Sequence, residues 1–147
     1  VDGLITQLTN LPVDVRIERW MQGSFPSLKE EQVKALDIDA ESTLKGLTRE
    51  VKTHTPKKVY VTSNSMAYAY LRSIGPITGK RYDKAFYDEP TALRLGKKLY
   101  NILDNEEDQG FTGDLKIINE WAKVLNIDSW FDWIDFESMP ESYFKGV

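Results

Sequence analysis

Cysteine is absent from the 147 residues, and histidine occurs once, at His54. No disulfide, thiol nucleophile or thiolate-bound zinc is open to such a chain. A Ser-His-Asp triad would have to recruit His54, which lies in the basic, turn-prone stretch KTHTPKK and reads as a solvated loop side chain. The glycine-rich loops of Walker and dinucleotide sites are missing, and so is a G-x-S-x-G elbow. No apolar run reaches the roughly 18 residues of a membrane span, and the opening VDGLITQL lacks the basic region and apolar core of a secretory signal. These absences lead to the expectation of a soluble, cytoplasmic (intracellular) protein with no cofactor, no bound metal and no membrane partner.

What is present suits a folded chain. Hydrophobic residues make up 41%, charged residues 29% and aromatics 12%. A chain of this length fits one domain that buries about two-thirds of its unfolded surface. The net charge of −4 is unevenly spread. Residues 1–56 hold 7 basic and 9 acidic side chains, 57–98 hold 9 and 3, and 99–147 hold 3 and 11. Such polarity marks either a basic face and an acidic end with separate partners, or two regions that attract each other within one fold.

Along the chain, residues 1–56 read as helical pieces. In NLPVDVRIERWMQG, Pro12 suits a first helical position, Val13, Ile17 and Trp20 or Met21 share a face, and Gly23 stops the helix. FPSLKEEQVKAL has capping-box spacing from Ser27 to Glu30, and DIDAESTLKGLTREVKTH offers Asp39 as another cap. Residues 57–103 change period. Val59-Tyr60-Val61 and RYDKAFYD read as strands around the helix-compatible MAYAYLRSI, and a helix capped by Asp88 follows, with Ala92, Leu95, Leu99, Ile102 and Leu103 inward. Residues 104–147 begin with the acidic loop DNEEDQGFTGD, continue with a helix capped by Asp114, and end in SWFDWIDFESMPESYFKGV. The fold expected is a small α/β domain over residues 1–147, α-rich with α+β as its variant: N-terminal helices, a central βαβα unit with a small sheet, a C-terminal helix and an acidic aromatic tail.

Ser63, Asn64 and Ser65 fall where the predicted strand passes into a helix. There they would cap unpaired backbone N–H groups, or help an anion bind. A strand, a Ser-rich helix start, a second strand and a helix opening Asp-Glu-Pro resemble STAS-type regulatory domains such as anti-sigma-factor antagonists, over residues 57–103. The resemblance implies a phosphorylation switch at Ser63 or Ser65. It departs from that family in lacking the Asp-Ser-Ser-Gly signature and strands before residue 57.

Carboxylates alone could hold Mg²⁺ or Ca²⁺, but Asp37 and Asp39 belong to a helix-start sequence. The group Asp104, Glu106, Glu107 and Asp108 lacks the glycine and terminal Glu of an EF-hand loop. Lys57, Lys58, Arg72, Lys80, Arg81 and Lys84, followed by Arg94, Lys97 and Lys98 and interleaved with tyrosines, provide phosphate-binding cations and stacking rings for a nucleic acid. In the tail, Trp130, Phe131, Trp133, Ile134 and Phe136 alternate with Asp132 and Asp135, more apolar surface than one side of a short helix hides. Either the rings pack in the core, or Trp130, Phe131, Asp132, Trp133, Asp135 and Phe136 form a docking surface for a protein partner. The function expected is non-enzymatic: a regulatory or inhibitory protein that binds another macromolecule through this tail. The alternatives are a nucleic-acid binder using the basic centre, and a STAS-like domain or an enzyme dependent on carboxylates or serine.

Overall fold

Residues 57–78 decide the architecture, because they form one helix in place of the expected strand, Ser/Asn turn and short helix. In the computed structural model, which describes residues 1–144, the helices are α1 (Asp2–Ser24), α2 (Lys29–Leu44), α3 (Arg49–His54), α4 (Lys57–Thr78), α5 (Pro90–Asn105) and α6 (Phe111–Leu125). The other regular pieces are short 3-10 turns, and no strand occurs among the described residues. The expected α/β fold with its small sheet is therefore corrected, together with its α+β variant: the chain is all helical. Val59-Tyr60-Val61 lies in the first turns of α4, and RYDKAFYD spans the 3-10 turn Tyr82–Phe86. The strand order behind the STAS resemblance is not there.

Burial explains the misreading. Every residue from Asn64 to Leu71 is buried, as are Tyr60, Thr62, Ser73, Ile74 and Ile77, so α4 is enclosed on nearly all sides. A helix with no solvent face shows no 3.6-residue stripe, and β-branched valines and threonine then suggest a strand. The polar residues inside α4 are satisfied one turn back. Ser65 Oγ donates to the Val61 carbonyl at 2.7 Å, Ser73 Oγ to that of Ala69 at 2.7 Å, and Asn64 Nδ2 to that of Tyr60 at 3.0 Å. Among the described residues no buried side-chain nitrogen or oxygen lacks a partner. Met66, Ala67, Ala69 and Leu71 add helix propensity. Gly79, at φ 75°, ends the helix by donating its N–H to the Gly75 carbonyl at 2.8 Å.

Around this axis, α5, α1 and α2 pack on α4, and α6 closes against α5 and α1. A Cβ at Gly96 would sit 2.6 Å from the Tyr68 ring, so α5 approaches α4 more closely than an alanine there allows. Trp121 of α6 is fully buried and donates its indole N–H to the Leu99 carbonyl at 2.9 Å. Arg16 of α1 grips the buried Asp114 of α6 through both Nε and Nη2, at 3.0 and 2.8 Å.

Several helix boundaries move from their sequence positions. α1 starts ten residues before Pro12 and runs through it, burying Leu4, Leu8, Pro12 and Val15 while Ile17 and Trp20 are exposed. Leu4, Leu8 and Val15 carry helical spacing that the proline obscured. Asp39 caps nothing: α2 continues through it, and its carboxylate accepts the Tyr70 hydroxyl at 2.5 Å. The expected Asp88 cap is replaced by Glu89 as the residue before α5, without a side-chain capping bond. Asp114 lies in the first turn of α6 and serves Arg16 instead. The inward face of α5 is as expected, with Ala92, Leu99 and Leu103 buried and Leu95 and Ile102 half-buried.

Candidate functional site

The tail leaves α6 through a defined cap. Asn126 takes the left-handed conformation at φ 54°, and its N–H bonds back to the Lys123 carbonyl at 3.1 Å while that of Ile127 reaches Ala122 at 2.9 Å. This is a Schellman pattern with asparagine in the position usually held by glycine. Ile127 is fully buried, and Trp130 and Phe131 lie half-buried against the core.

Beyond Phe131 the surface changes character. The Trp133 ring meets Phe131 edge-on at 5.7 Å, and its indole N–H donates to Asn119 Oδ1 at 2.8 Å. That anchorage orients the ring without covering it: Trp133, Ile134 and Phe136 are 51%, 61% and 72% exposed. Asp135 steadies the next turn, its carboxylate accepting the Glu137 N–H at 3.2 Å and its carbonyl accepting the Ser138 hydroxyl at 2.8 Å. Residues 124–144 contain Asp128, Asp132, Asp135, Glu137 and Glu141 and no lysine or arginine. None of these carboxylates pairs with a cation among the described residues. The expected cluster thus divides: Trp130 and Phe131 form its base, while Asp132, Trp133, Asp135 and Phe136 are presented to solvent.

The serine and basic candidates are not gathered into one place. Ser63 Oγ donates to Gln7 Oε1 at 2.9 Å, and Asn64 Nδ2 reaches the Gly46 carbonyl at 3.2 Å, so Ser63, Asn64 and Ser65 fasten α4 to itself and its neighbours in mid-helix. Lys80 bonds to Asp37 at 2.6 Å, and Arg81 holds the buried Asp83 through two nitrogens at 2.9 Å each. Tyr82 also donates to Asp37. Hydrogen bonds from Arg81 first, with its charge adding, hold Asp83 below its ordinary carboxylate pKa. Lys58 Nζ donates to the Leu125 carbonyl, and the Arg72 guanidinium lies 5.3 Å over the Tyr100 ring. Lys57 and Lys84 are exposed, in the first turn of α4 and in the turn before α5. Further along, Arg94, Lys97 and Lys98 share the outward face of α5 and, like Lys57 and Lys84, form no ion pair among the described residues.

Two clusters escaped the sequence reading. A cleft of about 420 Å³ opens beside Tyr60, lined by Lys52, Lys57, Glu89 and Thr91 among others. Within it, Glu89 accepts from Tyr60 at 3.0 Å and from Lys52 at 2.7 Å, and burial first, then the Glu89 hydrogen bond, push the Tyr60 phenol up to about 12. Near the Tyr70–Asp39 bond, Asp14 is raised above its ordinary value by burial first and then by the charges of Asp39 and Glu18. Both clusters join residues far apart in sequence, and no local spacing announces them. His54 is exposed with Nδ1 2.8 Å from the Glu50 carbonyl, and no group of three or more His, Cys, Asp or Glu side chains suited to a metal occurs among the described residues. No helix among them is long and apolar enough to cross a membrane.

Set against family models, curated proteins and solved structures, the chain matches none.

Proposed function

We propose that this is a non-enzymatic regulatory or inhibitory protein that works by docking a basic protein partner on its C-terminal tail. The observation that supports the reading is the exposure of Trp133, Ile134 and Phe136 within residues 124–144, whose charged side chains are all negative. Isolated surface hydrophobics are ordinary, but three within four residues, held over a half-buried aromatic base, give an anchor with a polar rim. Tryptophan is a frequent hot-spot residue because its large ring is desolvated on docking. The surrounding carboxylates would steer a cationic surface towards it and repel an anionic one. Such a protein regulates by occupying a surface that its partner needs for something else.

The test is calorimetric titration with a lysine- and leucine-rich amphipathic peptide at low and high salt. Binding should weaken about tenfold or more in Trp133→Ala, and also as salt rises. Equal affinity of the wild type and Trp133→Ala would refute the reading.

A further inference from the structure

We propose that the basic partner of the tail is a second copy of this chain, whose α5 outward face receives it. The inference rests on the docking role of the tail and names the occupant. Arg94, Lys97 and Lys98 are exposed at spacings of three and four, so they line one side of the helix. α5 carries no carboxylate before Asp104, which is itself held by Arg19 at 3.0 Å. The turn leading into α5 adds the exposed Lys84 and Tyr87, the latter 59% exposed.

Lys52, Lys80, Arg81 and Lys116 each hold a carboxylate within 2.9 Å, and the exposed cations without an ion pair among the described residues at Lys29, Lys45, Arg49, Lys57 and Lys123 lie on other elements. α5 gathers three cations without an ion pair on one side of a helix, and the tail gathers carboxylates without one, among the described residues. One protomer therefore presents two surfaces of opposite sign, and the negative one offers aromatic rings against which Tyr87 can pack. A second copy's tail brings to the stripe carboxylates and exposed rings of its own, the complement of three cations beside Tyr87. Because donor and acceptor surfaces differ, the contact is heterologous: it closes when two chains exchange tails and propagates when they do not.

Charge reversal tests the pairing by sedimentation velocity over a wide concentration range, at low and high salt. The wild type should sediment as an assembly at high concentration and low salt, and as a single chain at high salt. Lys97→Glu/Lys98→Glu and Asp132→Lys/Glu137→Lys should each weaken association about a hundredfold. Mixing the two variants should restore it, since each tail then faces an α5 of opposite charge, and that restoration also shows that both are folded. A wild type that stays a single chain throughout, or association indifferent to the reversals, overturns the proposal. So does a chain that remains single while binding a single-stranded oligonucleotide through Lys97 and Lys98. If the chain stays single but still binds the basic peptide through Trp133, self-docking falls and the tail reading stands; if the peptide binding is also absent, both fall.

Discussion

The central helix α4 and the tail after Ile127 are both rich in aromatic and polar residues, yet the fold treats them oppositely. In α4, Tyr60, Tyr68 and Tyr70 are buried, with the Tyr60 and Tyr70 hydroxyls donating to Glu89 and Asp39 and Asn64, Ser65 and Ser73 bonding carbonyls one turn back. In the tail, comparable rings are exposed beside carboxylates that have no cationic partner among the described residues. The contrast comes from the kind of polar group. A hydroxyl or amide can be buried by bonding a carbonyl one turn back, at modest net energy. An ionised carboxylate cannot be buried without a matched cation, and so it keeps its neighbours at the surface.

The contrast is open to direct attack. Trp121→Ala should cost about 3–5 kcal/mol, read from urea unfolding, because it empties a fully buried site and removes the bond to Leu99. A value near that of an exposed residue would mean the core is not organised as described. Ser65→Glu should cost at least about 3 kcal/mol by placing an unpaired carboxylate in α4, while Ser65→Ala should cost about 1. A well-folded Ser65→Glu protein would reopen phosphorylation at this position. Gly96→Ala should cost about 1–3 kcal/mol, since its Cβ drives into the Tyr68 ring; an unchanged midpoint would show that α5 can retreat.

In the tail the expected stability effects are smaller. Trp133→Ala should cost no more than about 1 kcal/mol, from one exposed hydrogen bond and one ring contact, although it removes the docking anchor. A loss as large as that of Trp121→Ala would erase the distinction between the two regions. The smallest effect belongs to Asp14, whose raised pKa means that the folded state binds its proton more tightly than the unfolded chain. Its contribution to stability therefore declines as pH rises from the ordinary 3.8 through the raised value, and Asp14→Asn should gain on the wild type above that window and lose the gain below it. Asp83 runs the other way: the stability from its lowered pKa is present above 3.8 and lost on further acidification. Melting curves between pH 3 and pH 7, about the range set by carboxylate pKa values, separate the two.

Legibility in the sequence followed exposure. α5 and α6 have one buried and one wet face, and their apolar spacing at Ala92, Leu99 and Leu103, or at Ile118, Trp121 and Leu125, located them to within a few residues. α4 has little wet face, so its valines and Ser-Asn-Ser run read as a strand and a turn, and the predicted sheet followed from pairing that segment with RYDKAFYD, which forms a 3-10 turn. In α1, Pro12 looked like a beginning because a proline inside a helix leaves a carbonyl without its donor; Leu4 and Leu8 before it were the better signal. The tail was legible as an unusual composition, but the division of its rings was not. Trp130 and Phe131 are drawn inward by the buried Ile127, and Trp133 is fixed by Asn119, a residue on α6 that no spacing rule connects to it. The cation stripe was legible as a cluster, whereas which lysines were already occupied depended on carboxylates such as Asp37, more than forty positions away from Lys80.

The left-handed backbone at Asn126 has a consequence for how this molecule could change over time. The amides of Asn126 and Ile127 set the angle at which the chain departs, and Trp130 and Phe131 then hold it to the body, so the stretch beyond Trp133 is the part that can be rewritten while the helices stay as they are. Replacing Asn126 with valine would strain that turn and set it against the grip of Trp130, Phe131 and Trp133, so one substitution outside the appendage would loosen its hold on the body.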